Sequence, residues 1–235
     1  MAWVNAIRFL FLTKVNNEVE LSRGVTVVIT SCGRPRQLRK TLKSFLKVNT
    51  YEIQGYVFIE DANCIESINI AKRILPKDVK IIINEKNLGQ LNAIDIAYKM
   101  VTTEYIFHLE EDWYFEKPNF IEDSLHILIE HPECLFFSLR ANDDQNGHPL
   151  KPYKNNLLTY KVFWKGCWVG FGFNPSLRRT RDYLLLGKYG SPNDREIGIG
   201  LYYYIKGYKV LAGNKNGYIR HIGCKSTEDM DYKKA

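Results

Sequence analysis

A largely apolar run that ends in three consecutive carboxylates is the feature that most limits how this chain can fold. Residues 105–109 predict a buried strand, and Glu110, Glu111 and Asp112 follow it directly. Three adjacent acids repel each other and resist burial, so we expect a positive partner beside them. Carboxylate oxygens suit Mg²⁺ or Mn²⁺, and ligands of open α/β sheets bind outside the carboxyl ends of strands. The sequence therefore predicts a binding site here; the alternative is a solvated loop start.

Strand and helix patterns alternate through the first half of the chain. The predicted strands cover residues 25–30, 54–61, 79–84 and 105–109, and the predicted helices lie between them, from residue 35, over 63–75 and around 94–101. This alternation predicts a mostly parallel sheet with right-handed crossovers. Polar groups end three of the four strands, at 30–31, 60–61 and 110–112, so we expect them to meet at one edge of the sheet. Gly89 permits a tight or positive-φ turn before the third helix.

The second half predicts shorter elements around an aromatic segment. The patterns predict a helix over 118–131, a strand over 134–139, a turn at 143–147, a loop over 153–159, and short strands at 160–163, 209–212 and 218–222. Residues 166–175 alternate glycine with aromatic residues, which lets backbone approach a ligand; a barrel corner or a plain hairpin is the alternative. The last helix begins within 191–196, and its predicted apolar face consists of Ile197, Leu201, Tyr204 and Ile205.

Net charge and cysteine content narrow the function classes. The 235 residues carry a net charge of +7, with basic clusters at 34–43 and 178–181 and otherwise scattered lysines and arginines. This charge suits a nucleotide diphosphate or peripheral contact with an anionic membrane face, and the scattering disfavours nucleic acid. No apolar run approaches the roughly 20 residues of a membrane span, and residues 6–12 are too short for a signal peptide. Widely spaced cysteines without a Cys-x-x-Cys motif favour a reducing, cytoplasmic compartment.

Several parts of the chain, taken in order, resemble the GT-A nucleotide-sugar glycosyltransferases, especially the inverting family-2-like group. These parts are Val25 to Pro35, Asp61, Asn87 to Gln90, Glu110 to Asp112, Trp168 to Phe173, Asp194 to Glu196, and His221. Two departures stand out. The triplet Glu110-Glu111-Asp112 is a variant of the family's Asp-x-Asp motif, and Asn92 stands where the family often has an arginine.

The resemblance implies the α/β fold of a single GT-A, Rossmann-like domain over residues 25–223. In such a domain a mostly parallel central sheet is flanked by helices, and a small antiparallel portion lies on the C-terminal, acceptor side. Residues 25–115 would form the nucleotide-sugar-binding half, and residues 116–223 the acceptor-binding half. Residues 1–24 would be an N-terminal extension or edge strand, and residues 224–235 a polar tail.

The activity that the resemblance implies is metal-dependent sugar transfer from a nucleotide-diphosphate donor to an acceptor hydroxyl, with inversion. The acceptor would be a glycan, a glycoconjugate or a protein. Asp112 and His221 would hold Mn²⁺ or Mg²⁺, and an ordinary buried histidine is the alternative for His221. The donor would contact Thr30, Ser31, Arg34, Asp61, Asn87, Gln90, Glu110 and Glu111.

The acceptor side carries the remaining implied roles. Trp168 and Phe171 would stack on sugar rings. An inverting transfer needs a carboxylate that takes the proton of the acceptor hydroxyl, and we assign this role to Asp194, with Glu196 as the alternative. The competing interpretation of both acids is a helix cap with a first-turn carboxylate.

Two other function classes compete with sugar transfer. A sugar-phosphate nucleotidyltransferase would share the fold, but it usually has a glycine-rich loop after the first strand. Residues 31–35 contain a single glycine, Gly33, which argues against this class. A catalytically inactive carbohydrate- or nucleic-acid-binding module is the other class, and carboxylates at two separate sites disfavour it. The sequence does not set the donor base, the sugar, the acceptor or the oligomeric state.

Overall fold

The computed structural model describes residues 20–162, 168–191, 195–213 and 215–223. The predicted tail at 224–235, most of the predicted N-terminal extension and Asp194 lie outside these residues. None of the helices in the described ranges has both the length and the apolar character needed to cross a lipid bilayer.

Strands and helices alternate along the chain as the sequence predicts, with additional short elements in the second half. The strands are β1 (Ser22–Ser31), β2 (Gly55–Glu60), β3 (Lys80–Ile83), β4 (Thr103–Glu110), β5 (Trp113–Phe115), β6 (Cys134–Phe137), β7 (Leu150–Pro152), β8 (Leu158–Tyr160), β9 (Ser176–Arg179), β10 (Lys209–Ala212) and β11 (Ile219–His221). The helices are α1 (Pro35–Val48), α2 (Ile65–Ile74), α3 (Gln90–Tyr98), α4 (Phe120–Glu130), α5 (Thr180–Leu186) and α6 (Arg195–Ile205), and a 3₁₀ turn covers Lys154–Asn156.

The central sheet is five-stranded, with the order β3-β2-β1-β4-β9. The strands β3, β2, β1 and β4 run parallel to each other. The edge strand β9 runs antiparallel to β4, with Arg179 opposite Tyr105. Helices connect the parallel strands, as crossovers require. The predicted α/β fold with a mostly parallel sheet flanked by helices is therefore confirmed.

Both faces of the central sheet are covered. Val27 of β1 packs in one apolar cluster with Phe45 of α1, whereas the next residue, Val28, packs in a second cluster with Ala97 of α3. All four side chains are fully buried. Successive strand residues face opposite sides of the sheet, so a strand covered on both sides is apolar throughout rather than alternating. Burial of each large apolar side chain contributes about 1.5–3 kcal/mol to stability.

Two smaller sheets build the C-terminal side of the domain. One has the order β6-β10-β8-β7, in which β10 runs parallel to β6 and antiparallel to β8. The other pairs β11 with β5 in antiparallel orientation, which places His221 opposite Trp113. Because β5 begins directly after Asp112, this pairing brings the end of the described chain back to the predicted binding site.

The predicted apolar face of the last helix is partly wrong. Ile197 and Ile205 of α6 are each 38% exposed, whereas Ile199 is fully buried. The buried side of α6 contains Gly200, where an added Cβ would lie 2.8 Å from Cγ2 of Val169. Small residues on this side let the helix pack closely, so the contact face follows the glycines rather than the largest side chains.

The basic cluster at 178–181 is partly buried, and its first two residues end β9, a strand that the sequence did not predict. Arg179 is 4% exposed. Its Nη1 donates to the carbonyl oxygen of Cys134 at 2.7 Å and pairs with Oδ2 of Asp182 at 3.1 Å, and its Nη2 donates to the carbonyl oxygen of Leu128. The guanidinium thus donates to backbone carbonyl groups at and after the end of α4, and these hydrogen bonds offset the cost of burying its charge. Arginines are mostly exposed, so a segment rich in arginine does not predict a buried strand.

Candidate functional site

The ends of three parallel strands meet at one edge of the central sheet, as predicted. Thr30 of β1 lies opposite Glu110 of β4, and Ser31 of β1 lies opposite Glu60 of β2. The acid triplet (Glu110, Glu111 and Asp112), the loop at 31–34 and Asp61 therefore border one region. Thr30 itself is 7% exposed, so little of its side chain is open to a ligand.

Arg34 supplies the positive partner that the acid triplet requires. Its Nε lies 2.8 Å from Oε1 of Glu111, and its Nη1 lies 2.6 Å from Oδ2 of Asp112. The backbone N–H of Cys32 also donates to Oε1 of Glu111, at 3.2 Å. Burial raises the pKa of Glu111 above its usual range, although the charge of Arg34 opposes this shift. Because Arg34 directly precedes α1, the guanidinium lies at a helix N-terminus, where anions bind favourably.

Asp112 and His221 lie side by side at the end of the β5–β11 pair. Nε2 of His221 is 3.1 Å from Oδ2 of Asp112. A Cβ atom added to Gly223 would lie 2.7 Å from each of these two atoms, so a larger residue there would displace one or both side chains. Burial acts to raise the pKa of Asp112, but the hydrogen bond from His221 and the charge of Arg34 hold that pKa below its usual range. Asp112 is therefore ionised at neutral pH.

This pair fits a divalent metal ion that takes its other ligands from a substrate. A carboxylate and a neighbouring imidazole offer one oxygen and one nitrogen ligand, 3.1 Å apart. Within the residues that the structure describes, no group of three or more His, Cys, Asp or Glu side chains is arranged to hold a metal. Mg²⁺ and Mn²⁺ sites with few protein ligands are completed by phosphate oxygens and water.

Both carboxylate oxygens of Glu110 accept a hydrogen bond from a neighbouring side chain. Its Oε1 accepts a hydrogen bond from Nε2 of Gln90 at 2.7 Å, and its Oε2 accepts one from Nε1 of Trp113 at 3.3 Å. Burial and the negative charges of Asp112 and Glu111 raise the pKa of Glu110 to about 8. Near neutral pH, the metal-free triplet therefore holds a proton on Glu110.

The raised pKa of Glu110 predicts a pH-dependent stability of the metal-free protein. The folded pKa of about 8 exceeds the ordinary value of 4.5, so the folded state holds a proton that the unfolded state has lost. This contribution to stability is complete below the ordinary pKa and is lost as the pH rises through about 8. We expect the melting temperature of Glu110→Gln, measured with a chelator present, to rise relative to wild type by a few degrees between about pH 6 and about pH 9. A pH-independent difference between the two proteins would contradict this account.

Glu60 shapes the loop after β1, a role that the sequence did not assign to it. Its side chain is fully buried. Its Oε2 accepts from Oγ of Ser31 at 2.7 Å, and its Oε1 accepts from the N–H groups of Gly33 and Ala62, each at 3.0 Å. The hydroxyl of Ser31, which we predicted to contact the nucleotide-sugar donor, donates a hydrogen bond to Glu60 in this structure, and Ser31 is 2% exposed. The sequence does show two acids at the end of β2, Glu60 and Asp61, but a site role was predicted only for Asp61.

Asp61 holds the loop that precedes α3. Its Oδ1 accepts from Nδ2 of Asn84 at 2.7 Å and from the N–H of Leu88 at 3.0 Å, and its Oδ2 accepts from the N–H of Gly89 at 2.9 Å. Gly89 has φ of 84°, which confirms the predicted positive-φ turn. In this loop Nδ2 of Asn87 lies 3.2 Å from Sγ of Cys32, so the loops after β1 and β3 touch.

The aromatic segment contributes less open surface than the sequence predicts. Phe171, expected to stack on acceptor sugars, is 1% exposed and packs in the core, with its ring centroid 5.2 Å from that of Phe173. The guanidinium of Arg178 lies over the Phe171 ring at 5.2 Å. Trp168 is partly exposed; its Nε1 donates to the carbonyl oxygen of Phe171 at 2.8 Å, and its ring lies 4.1 Å from that of His148. Of the two aromatic residues that we predicted to contact the acceptor, only Trp168 has an exposed part that a ligand could reach.

Glu196, in the first turn of α6, contacts the same segment. Its Oε1 accepts from the N–H of Phe173 at 3.1 Å. Burial raises the pKa of Glu196 above its usual range, with this hydrogen bond and the charge of Arg178 opposing the shift. Asp194, the preferred candidate for the base, lies outside the described residues.

Asp95 connects α3 to α5 and to the loop that follows α5, and the sequence analysis did not identify this role. It is 6% exposed. Its Oδ1 accepts from the hydroxyl of Tyr183 at 2.9 Å and from the N–H of Tyr189 at 2.8 Å, and its Oδ2 accepts from the N–H of Gly190 at 2.8 Å. A Cβ added to Gly190 would lie 2.7 Å from Oδ1 of Asn92, so α3 and this loop are in close contact. A lone acid within an apolar helix pattern was the available signal.

A family comparison agrees with this arrangement. A sequence profile described as Glycosyl transferase family 2 matches residues 26–191, which include the central sheet and the acid triplet. No curated protein sequence matches the chain significantly.

Solved structures share the fold at low sequence identity. S. aureus TarS superposes with a TM-score of 0.65 at 15% identity, over 88% of this chain and 37% of TarS. The 1–349 fragment of TarS in complex with UDP-GlcNAc gives a TM-score of 0.63 at 14% identity, over 88% of this chain and 60% of the fragment. A mannosyltransferase from Pyrobaculum calidifontis, in complex with GDP-Man and Mn²⁺, gives 0.64 at 13% identity, over 96% of this chain and 64% of that protein. The chain thus spans less than two thirds of each of these structures.

Proposed function

The chain belongs to glycosyl transferase family 2, and from that membership we propose metal-dependent transfer of a sugar from a nucleotide-diphosphate donor to an acceptor hydroxyl, with inversion. Sugar transfer in general follows from the family. The observation that carries the finer proposal is the acid triplet, which lies beside Arg34 and His221 at the sheet edge. A departing nucleotide diphosphate gathers negative charge. Arg34 and a metal ion held beside Asp112 would stabilise that charge.

The donor half would hold the nucleotide through the loops after β1, β2 and β3. Arg34 would pair with a phosphate oxygen, since a guanidinium offers five N–H donors and only two carboxylates are its partners in the described residues. Asp61 accepts three hydrogen bonds, and a carboxylate has about four lone-pair positions, so one position is left for a donor group on the base. Asn87 and Gln90 would line the same pocket.

Asp112 and His221 would hold Mn²⁺ or Mg²⁺. When bound, the ion would supply Lewis-acid stabilisation of the leaving diphosphate. The chain's own residues prepare this place: Arg34 and His221 keep Asp112 ionised, and Gly223 lets the backbone pass close to the pair without displacing it. The mannosyltransferase structure that shares this fold contains Mn²⁺, which supports the choice of metal.

A carboxylate near the start of α6 would take the proton of the acceptor hydroxyl. Asp194 is our preferred base because, in the sequence, it directly precedes the first residue of α6, Arg195. Glu196 is the alternative, and its burial favours it, because a raised pKa brings a carboxylate closer to neutral pH, where a general base works best. Trp168 would place a flat face against the acceptor, which we propose is a glycan, a glycoconjugate or a protein.

Asp95 is predicted to act as a positioning residue for this acceptor-side loop. Asparagine at position 95 cannot accept all three of the hydrogen bonds that fix Tyr183, Tyr189 and Gly190. We expect Asp95→Asn to lower kcat by about tenfold to a hundredfold while nucleotide affinity stays close to wild type, because a displaced catalytic group slows turnover without removing donor contacts.

Asp78→Asn is the matched control, because Asp78 is an exposed acid. Steady-state kinetics and nucleotide titration on both variants separate the outcomes. Equal losses of affinity and turnover in Asp95→Asn would indicate a general structural role instead of positioning.

Nucleotide binding tests the proposal directly. Calorimetric titration with UDP, GDP and dTDP, with and without Mn²⁺, should show one nucleotide that binds more tightly in the presence of the metal. Arg34→Ala should weaken this binding by at least about tenfold, since charge-assisted hydrogen bonds contribute about 1.5–3 kcal/mol. Absence of binding by all three nucleotides would overturn the proposed donor class.

Two further points bear on the competing functions. In a nucleotidyltransferase, the loop after the first strand would cradle phosphates with free N–H groups, but here the N–H groups of Cys32 and Gly33 donate to Glu111 and Glu60.

Cys32, Cys64 and Cys134 are free thiols, which supports our proposal of a cytoplasmic location.

A further inference from the structure

Helix α1 presents a continuous basic face to solvent. Arg36, Lys40, Lys43 and Lys47 are all exposed, and their spacing of four, three and four residues places them along one side of the helix. The sequence of α1 contains no acidic residue. The opposite side, which includes Leu38, Leu42 and Phe45, is buried against the sheet. The basic face is therefore held at a fixed orientation, pointing away from the core.

These four charges have no ion-pair partner within the described ranges. Other exposed basic side chains do form ion pairs: Nε of Arg220 lies 2.8 Å from Oε1 of Glu116. The four basic residues on this face of α1 differ from Arg220 in this respect. The neighbouring helix α2 packs against α1 and adds two more exposed basic residues, Lys72 and Arg73, in its last turn. Six exposed basic side chains thus lie on two adjacent helices in a chain of net charge +7, and we call them the basic patch. The acid of α2, Glu66, lies in its first turn, at the other end of the helix from Lys72 and Arg73.

We propose that this patch, formed by Arg36, Lys40, Lys43 and Lys47 of α1 with Lys72 and Arg73 of α2, docks the protein on an anionic lipid surface. Anionic lipid headgroups attract clustered lysines and arginines on a helix face. A flat, laterally extended partner suits two parallel helices lying side by side on a sheet.

The position of the patch favours a surface over the acceptor itself. Both helices belong to the donor half, whereas Trp168 and Glu196 lie in the acceptor half. A polyanionic acceptor would instead need basic groups along its path to that half. Because α1 begins next to Arg34 and is about 20 Å long, docking through α1 would hold the site within about one helix length of the lipid headgroups.

Vesicle sedimentation tests the docking surface. The protein is mixed with vesicles of phosphatidylcholine alone or of phosphatidylcholine with phosphatidylserine, at low and at physiological salt. We expect binding only to the anionic vesicles, with weakening by salt. The double variant Lys40→Glu with Lys43→Glu should bind at least about tenfold more weakly, because two attractive charges become repulsive.

A matched pair of reversals provides the control. Lys99→Glu with Lys206→Glu changes the same net charge at two exposed lysines outside the patch and should retain most of the binding. Melting temperatures and nucleotide titrations on both variants report on folding separately from docking. Equal weakening of both variants, or no binding of wild type to anionic vesicles, would overturn the proposal. Binding to heparin or DNA without binding to vesicles would assign the patch to a polyanion instead.

Discussion

Asp112→Ala is expected to lower sugar transfer by about 10³-fold or more. The substitution removes the carboxylate that we propose as the main metal ligand and leaves Nε2 of His221 and Nη1 of Arg34 without their shared acceptor, Oδ2. A metal that stabilises a leaving group contributes several kcal/mol, and each 1.36 kcal/mol corresponds to about a tenfold change in rate. The measurement is initial-rate kinetics over a range of Mn²⁺ concentrations.

Asp112→Asn separates charge from folding in this experiment. Asparagine keeps one oxygen that accepts a hydrogen bond from Arg34 or His221, so the local structure should persist while the negative charge is lost. Asp78→Asn changes an exposed acid and provides the control for net charge. Wild-type turnover and unchanged metal dependence in Asp112→Asn would contradict the role that we assign to Asp112.

Asp194→Asn is expected to reduce transfer to the acceptor by about 10²–10⁴-fold, with donor binding unchanged. General-base catalysis contributes a factor of this size, and an amide cannot take the proton of the acceptor hydroxyl. The donor half contains all the groups that we propose as nucleotide contacts, so the affinity for the nucleotide should remain that of wild type.

Glu196→Gln distinguishes the two candidate bases. Glutamine still offers an oxygen that accepts the N–H of Phe173, so the contact between α6 and the aromatic segment is retained. If Asp194 is the base, this variant should keep most of its activity. Severe loss in Glu196→Gln with near-normal turnover in Asp194→Asn would transfer the role to Glu196.

The parallel half of the fold could be predicted from sequence because local and global signals agree there. Residues 25–30 are all β-branched, which predicts a central strand, and the structure buries both faces of β1. Gly89 and the polar strand ends predicted a positive-φ turn and a shared sheet edge, and both are present. These features follow from backbone geometry, which short sequence patterns encode directly.

The remaining features depend on contacts between residues that are far apart in the sequence. β9 was missed because Arg178 and Arg179 are compensated by aromatic rings and by backbone carbonyls from α4, which no local pattern reveals. Phe171 was assigned to the surface because its alternation with glycine resembles an exposed platform, but packing around Arg178 buries it. Glu60 and Asp95 are buried carboxylates that each accept two backbone N–H groups and one side-chain hydroxyl, and backbone partners carry no sequence signature.

Release of nucleotide diphosphate from a panel of UDP-, GDP- and dTDP-sugars, with and without Mn²⁺, tests the central claim most directly. Wild-type protein should consume one donor of the panel, require the metal, and lose this activity in Asp112→Ala. Release that is equally fast without metal, or equally fast in Asp112→Ala, would contradict the metal site at Asp112 and His221. No release from any donor, together with no nucleotide binding, would contradict nucleotide-sugar turnover and favour a carbohydrate-binding module on the same fold.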